Sequence, residues 1–106
     1  MEWVRIFPTS IAARETLSAD RPRQLAVGDK RICLVLHNDS ILAIDDKCSH
    51  NGESLSKGTI NFLGEVICPW HGYRFNLKTG RESGERSHDL VTYPVKEEDD
   101  GVFLGL

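Results

Sequence analysis

The sequence has no long apolar run and no excess of basic residues, and each absence excludes a class of protein. Its longest apolar runs, at 32–36 and 41–44, fall far below the ~18 residues that a membrane-spanning helix needs. Sixteen acidic residues outnumber thirteen basic ones, and the basic residues form no block, so nucleic acid is not an expected partner. The amino-terminal stretch MEWVRIFPTS lacks a basic segment followed by an apolar one, and we therefore expect a soluble, cytoplasmic protein.

Cysteine is also scarce, and its three positions, Cys33, Cys48 and Cys68, are an odd number. Secreted scaffolds of this length generally carry four or six cysteines paired in disulfides. We therefore expect cysteines that act as ligands, with one thiol to spare. The spare thiol is Cys33, because the stretch RICLVLH is apolar on both faces of a strand and predicts a buried core residue.

A length of 106 residues predicts one domain covering residues 1–106. Short apolar runs separated by tight turns predict an all-β fold with little helix. One helical turn is expected from Thr9 or Ser10 to Leu17, capped by Ser10. The predicted strands cover residues 3–7, 23–27, 31–37, 41–44, 59–62, 65–68, 73–76, 90–96 and 102–106, and the second to fourth form an antiparallel meander.

Several residues outside the loops have simpler interpretations. Aromatic residues at strand positions are expected in the core. These are Trp3, Phe7, Phe62 and Phe103. His37 and His88 are expected at the surface or in turns. The acidic run at 97–100 predicts a solvated hairpin turn, with a contribution to docking through long-range charge as the weaker alternative.

Two loops each carry one cysteine and one histidine. The first contains Cys48 and His50, the second contains Cys68 and His71, and seventeen residues separate His50 from Cys68. Two thiolates and two imidazoles suit a tetrahedral metal or an iron–sulfur cluster. Zinc sites usually group cysteine with cysteine and histidine with histidine, whereas each loop here supplies one of each. A catalytic Cys/His pair is disfavoured because the sequence marks out no third, orienting group.

This CxH and CxxH pattern resembles the Rieske family of [2Fe-2S] proteins. The resemblance extends to Gly52, Pro69, Gly72 and the following FNLKTG turn, and it covers residues from about 4 to 104. It implies a Rieske-like antiparallel β sandwich with a small inserted cluster-binding subdomain of two ligand loops, at about 46–80. It also implies one [2Fe-2S] cluster per chain and no catalytic residue. The implied ligands are Cys48 and Cys68 on one iron and His50 and His71 on the other.

Four positions distinguish this chain from high-potential members of that family. Glu53 and Trp70 stand where those members carry two extra cysteines, so no loop disulfide can form between them. Tyr73 and Phe75 stand where those members have a serine and a tyrosine that donate hydrogen bonds to sulfur. Fewer donors stabilise the reduced cluster less, which predicts a potential toward the low end of the roughly −150 to +300 mV Rieske range.

The resemblance implies an electron-transfer protein and not an enzyme. A soluble one-electron carrier would accept electrons from a flavin-containing reductase and pass them to a terminal oxygenase or another acceptor. The alternative is the small Rieske-like subunit of an assimilatory nitrite reductase. The terminal oxygenase itself is disfavoured, because such enzymes add a large domain with a mononuclear iron. Electrons would leave through His50 and His71, and the expected docking residues around them are Asn51, Gly52, Trp70 and Gly72.

Overall fold

The computed structural model describes residues 1–50, 52–70 and 72–106, so predictions that fall on Asn51 and His71 lie outside the described residues. Strands dominate the regular secondary structure of the described residues, which include one short α-helix, and the all-β prediction is confirmed. The elements are β1 (Trp3–Phe7), α1 (Ser10–Thr16), β2 (Arg23–Val27), β3 (Lys30–His37), β4 (Ser40–Asp45), a 3₁₀ turn (Leu55–Lys57), β5 (Thr59–Ile60), β6 (Glu65–Ile67), β7 (Arg74–Asn76), β8 (Thr92–Tyr93), β9 (Val95–Glu98) and β10 (Gly101–Gly105).

Across the described ranges, the strands form three antiparallel sheets. The largest has the order β2-β3-β4-β8 and contains the predicted meander, and a second has the order β1-β10-β9. The third and smallest, β5-β6-β7, lies in the predicted cluster-binding part of the chain, and Cys68 directly follows its central strand. The small sheet therefore fixes where the second ligand loop begins.

Strand β3 is buried on both faces and separates two apolar cores. Because successive side chains of a strand point to opposite faces, Cys33 and Val35 enter one core while Ile32 and Leu34 enter the other. The second core also receives the helix, through Ala13. The first core contains both loop cysteines together with Leu55, Val66, Phe75, Leu77 and Leu90. Cys33 is fully buried there, as predicted.

The helix begins one residue away from the predicted cap. Thr9, not Ser10, has the extended backbone of an N-cap, and its Oγ1 accepts the Ala12 N–H at 3.0 Å. Ser10 is the first helical residue, and its hydroxyl donates to Glu97 instead. Either residue can cap a helix, so the sequence alone did not decide between neighbouring hydroxyls.

The predicted strand at 90–96 was wrong, because the chain changes sheets within it. Thr92–Tyr93 pairs with β4, whereas Val95–Glu98 pairs with β10. Pro94 lies between the two strands, and its missing N–H cannot donate to a continuous ladder.

Some surface and core predictions also need correction. Phe62 is 87% exposed because it lies in the turn between β5 and β6, and Trp3 is 40% exposed on an edge strand. His37 is buried, with its Nδ1 2.6 Å from the Asp20 carboxylate, while His88 is exposed as expected. Phe7 and Phe103 are partly buried.

The acidic run at 97–100 is not a simple solvated turn. Arg14 and Ser10 both donate to the Glu97 carboxylate. Those hydrogen bonds, the Arg14 bond above all, lower the pKa of Glu97 to about 2. Glu97 therefore anchors α1 to β9, while all four residues of the run are exposed at this end of the hairpin, as predicted. In the described ranges, no helix is long and apolar enough to cross a membrane.

Candidate metal centre

The two loop cysteines lie together in the first core. Cys48 follows β4, Cys68 follows β6, and each is only 1% exposed. Their thiols are within hydrogen-bonding reach of each other, although 20 positions separate them in the sequence. Neither is in a disulfide. Two sheets therefore bring two thiols that are not in disulfides to one buried point.

Both ligand loops repeat one backbone pattern. The Cys48 N–H donates to the carbonyl of Glu53 at 2.8 Å, and the Cys68 N–H donates to the carbonyl of Tyr73 at 2.7 Å, five positions on in each case. The glycine four positions after each cysteine has a positive φ, +77° for Gly52 and +69° for Gly72. Glycine adopts this conformation without steric cost, which explains why both loops need it there. The loops thus curl back over their own cysteines in the same way.

The first loop is held by a buried carboxylate, Asp46, whose role was not predicted from the sequence. Asp46, 2% exposed, accepts hydrogen bonds from Gln24 Nε2 at 2.6 Å and from the Ser56 N–H at 2.6 Å. The hydroxyls of Ser54 and Ser56 also donate to it. Its own carbonyl accepts the Leu55 N–H at 2.9 Å. Asp46 therefore ties together both ends of the segment that carries Cys48.

A third segment, residues 82–88, packs against the first loop. Ser49 Oγ donates to the carbonyl of His88 at 2.7 Å and lies 2.5 Å from Ser87 Oγ. At the start of the segment, the side chain of Glu82 is fully buried. It accepts the N–H groups of Gly84 at 2.6 Å and Arg86 at 2.7 Å, and the Arg86 guanidinium also donates to it. Burial alone would raise the pKa of Glu82, but these hydrogen bonds, the Arg86 side chain first, outweigh it and lower the pKa to about 2.

His50 is exposed at the edge of the site, and its imidazole stacks on Tyr73. The ring centroids are 4.0 Å apart, and the planes are inclined by 15°. Tyr73 follows Gly72 in the second loop, so this contact joins the two loops outside the buried cysteines. The sequence alone indicates only that Tyr73 replaces a serine of the high-potential members, and this contact with His50 was not predicted from it.

The environment of Cys68 does not suit a nucleophile. Burial raises the pKa of its thiol to about 11, and the neighbouring Cys48 thiol and Glu53 also raise it, against a lowering hydrogen bond from the Trp70 backbone. Catalytic cysteines instead have lowered pKa values in electropositive surroundings. A bound metal cation deprotonates a coordinating thiol, so a buried pair of thiols suits a metal better than covalent catalysis.

In residues 1–50, 52–70 and 72–106, no group of three or more His, Cys, Asp or Glu side chains could hold a metal ion. The described part brings Cys48 and Cys68 together and sets His50 beside Tyr73 of the second loop. The fourth predicted ligand, His71, lies outside the described residues. Two buried thiols, with the imidazole of His50 two residues after Cys48 in the same loop, supply the sulfur and nitrogen donors of an iron–sulfur cluster with mixed ligands.

The Rieske [2Fe-2S] domain family matches residues 7–94. The chain therefore belongs to the Rieske [2Fe-2S] domain family, and the predicted resemblance is confirmed. A [2Fe-2S] cluster is the cofactor of this protein.

Two curated relatives differ greatly in length. A 3-phenylpropionate/cinnamic acid dioxygenase ferredoxin subunit from Photorhabdus laumondii is 35% identical over 74 residues, which cover 69% of this chain and 70% of the relative. Apoptosis-inducing factor 3 from Homo sapiens is 36% identical over 83 residues, 77% of this chain. The match spans only 14% of that longer protein.

Two solved structures share the whole fold. The ferredoxin of carbazole 1,9a-dioxygenase from Nocardioides aromaticivorans IC177 aligns with a TM-score of 0.84 and 23% identity, covering 99% of this chain and 98% of the other. A protein described as the small subunit of an NADPH nitrite reductase aligns with a TM-score of 0.81 and 22% identity, covering 100% of both chains. At these identities the likeness concerns the fold.

Proposed function

We propose that this protein is a soluble, cytoplasmic one-electron carrier, a Rieske-type ferredoxin that passes electrons from a flavin-containing reductase to a terminal oxygenase. The observation that carries the proposal is the match to a dioxygenase ferredoxin subunit over comparable shares of both chains, 69% and 70%. A match of that kind supports the role of a small carrier, whereas the match to apoptosis-inducing factor 3 spans 14% of a longer protein. In this proposal the chain holds the electron and does not transform a substrate.

The proposed ligands are Cys48, His50, Cys68 and His71. When bound, a [2Fe-2S] cluster takes up and releases one electron. Cys48 and Cys68 are buried and would hold the inner iron, away from water. His50 is exposed, which supports placing the electron exit on the histidine side of the centre. The loop hydrogen bonds to Glu53 and Tyr73 would keep both cysteines in place as the charge of the site changes.

We further propose that partners dock at the exposed rim around His50. Gly52 and Gly72 are exposed there, and Trp70 presents a large aromatic surface that is 56% exposed. A carrier that meets a reductase and then an oxygenase needs a small interface, below about 1,200 Å², because each complex must dissociate quickly. An exposed tryptophan beside the electron exit suits such a contact, since aromatic residues contribute strongly to binding.

The residues around the cluster support a low potential within the Rieske range. The charges of two ferric ions, two sulfides and two thiolates sum to zero, whereas four thiolates would give a net charge of −2. An electron therefore enters the mixed-ligand site more easily than an all-cysteine site. Phe75 has no hydroxyl to donate to sulfur, and it is completely buried. The potential should therefore lie toward the low end of roughly −150 to +300 mV.

The experiment that tests this proposal starts with protein purified without oxygen. It should be reddish-brown and contain two irons and two acid-labile sulfides per chain, the composition of a [2Fe-2S] cluster. Stopped-flow absorbance should then show reduction by a flavin-containing reductase and reoxidation by an oxygenase. One zinc per chain without sulfide would refute the cluster assignment, and a cluster that no reductase reduces would refute the carrier role.

A fixed subunit of an assimilatory nitrite reductase is the second candidate, supported by the full-length structural match to a nitrite reductase small subunit. The two candidates differ in their native assembly. A carrier should purify from its own cells as a free small protein, whereas a subunit should copurify with a large flavoprotein in a fixed ratio. Size-exclusion chromatography of the native extract, followed by iron and flavin analysis of each fraction, separates them.

A further inference from the structure

A column of three stacked groups stands beside the first ligand loop. The Tyr73 ring has the His50 imidazole 4.0 Å from its centroid and the Arg86 guanidinium carbon 3.8 Å from the same centroid. Two groups so close to one ring centre cannot share a face, so His50 and Arg86 cover opposite faces of Tyr73. A positive charge is therefore held one aromatic ring away from a proposed cluster ligand.

Arg86 does not reach this position as a free surface side chain. Its guanidinium and its own N–H both bond the fully buried Glu82 carboxylate, with Nη2 at 3.2 Å and the backbone nitrogen at 2.7 Å. This carboxylate and the face of Tyr73 fix the guanidinium plane from two directions. A cation over an aromatic face is attracted by the ring quadrupole, which adds to the ion pair.

The segment that carries Arg86 is also joined to the residue before His50. Ser49 Oγ contacts Ser87 Oγ at 2.5 Å and donates to the carbonyl of His88 at 2.7 Å. The first loop and the segment at 82–88 are therefore joined by hydrogen bonds directly next to the stack. A substitution of Arg86 should therefore change the surroundings of His50, because these hydrogen bonds join the two segments.

We propose that Arg86, held by Glu82 and stacked on Tyr73, is a positioning residue for His50 that raises the reduction potential of the cluster. This inference rests on the proposed function, in which His50 binds the outer iron. Reduction adds one electron from the reductase and makes the centre more negative by one charge. A fixed positive charge nearby favours that state, and a fixed negative charge opposes it.

The arrangement predicts shifts of opposite sign from its two charged members. Arg86→Gln removes the cation and leaves Glu82 uncompensated, so reduction should become less favourable. Glu82→Gln removes the anion and keeps the cation, so reduction should become more favourable. A residue that only maintained the fold would not produce opposite shifts, because both substitutions disturb the same ion pair.

Arg81 provides a matched control in the same stretch of chain. Its side chain is 62% exposed and forms an ion pair with Glu85. Arg81→Gln changes the net charge of the protein by the same amount as Arg86→Gln, but Arg81 is not part of the stack. Arg86→Lys keeps the charge without the planar guanidinium, so it separates charge from stacking.

The test is protein-film voltammetry of the cluster-loaded protein and these four variants at one pH and one ionic strength. We expect Arg86→Gln to lower the equilibrium constant for reduction at least threefold, or about 30 mV at 59 mV per tenfold. Arg86→Lys should recover about half of that shift, Arg81→Gln should cause none, and Glu82→Gln should shift the potential upward. Equal shifts in Arg86→Gln and Arg81→Gln, or no shift in Arg86→Gln, would overturn the inference.

The same measurements distinguish this inference from the proposed function. If the unmodified protein binds no iron and sulfide, or its reduced form gives no Rieske electron paramagnetic resonance signal, the proposed function fails. A normal signal in the unmodified protein with unshifted variants overturns the role of Arg86 alone. Should Glu82→Gln not fold, the Arg86→Gln, Arg86→Lys and Arg81→Gln set decides the question by itself.

Discussion

The two ligand loops share a backbone pattern but are supported in different ways. The second loop lies between two paired strands, β6 and β7, so the ladder of the small sheet places Cys68 directly. The first loop follows β4 and is held by hydrogen bonds to polar side chains, those of Asp46 and Ser87. One loop is thus built from main-chain pairing and the other from buried side-chain bonds. The first loop should be the more sensitive to single polar substitutions.

The largest effect should come from replacing one of the two buried loop cysteines. Cys68→Ser should abolish the cluster, because a serine hydroxyl is a poor substitute for the thiolate that iron–sulfur clusters require. Cys33→Ser is a matched control, since Cys33 lies fully buried in the same core. The visible absorption spectrum and iron content should vanish in the first variant and persist in the second. Loss of the cluster in the Cys33 variant alone would show that the ligands were misassigned.

Replacing Asp46 should remove the hydrogen bonds that hold the first loop. Asp46→Ala leaves the Ser56 N–H and the Gln24 amide without their acceptor, and we expect a loss of about 3 kcal/mol in the free energy of unfolding. Urea denaturation followed by circular dichroism measures this loss, and the cluster should also bleach faster in air.

The comparison for that change is Asn76→Ala at the end of β7, the strand that follows the second loop. Its side chain accepts the N–H groups of Lys78 and Thr79, but in an exposed turn where water can replace it. We expect a cost of about 0.5–1 kcal/mol and an unchanged bleaching rate. Equal costs for the Asp46 and Asn76 variants would contradict the proposed difference between the loops.

The sequence predicted the family and most strands, because both depend on local spacing. The apolar run of β3 and the glycines after each cysteine are visible in short windows. What it missed depends on contacts between distant segments. Glu82 and Arg86 appear in the sequence as one charged pair among many, and only the fold places them against Tyr73. Asp46 likewise gains its role only when Gln24, 22 positions earlier, is brought to it.

Acid should weaken the first loop through Glu82. The pKa of Glu82 in the folded protein is about 2, below its ordinary value of 4.5, so the folded state binds the proton less readily than the unfolded state. This contribution to stability is complete above about pH 5 and is lost as the pH falls through 4.5 toward 2. Glu82→Gln should therefore make stability less pH-dependent in that window.

Glu97 provides the comparison for that acid effect. Its pKa is also lowered to about 2, but it anchors the helix far along the chain from the ligand loops. Glu97→Gln should reduce the acid dependence of unfolding without changing the cluster spectrum at neutral pH. Urea titrations at several pH values, with visible circular dichroism of the cluster, measure both quantities. A spectral change in the Glu97 variant would contradict the expectation that Glu97 does not affect the ligand loops.

The smallest expected effect on the cluster comes from adding the hydroxyl that Phe75 lacks. Phe75→Tyr adds an O–H group in the core that contains Cys48 and Cys68. If the hydroxyl donates to a cysteine sulfur, it should favour the reduced cluster and raise the potential modestly, at a stability cost of about 1 kcal/mol for crowding a filled core. Voltammetry of this variant beside Phe75→Leu separates the hydroxyl from a simple change in packing. An equal upward shift in both variants would mean that core packing, and not a hydrogen bond to sulfur, sets the low potential of this branch.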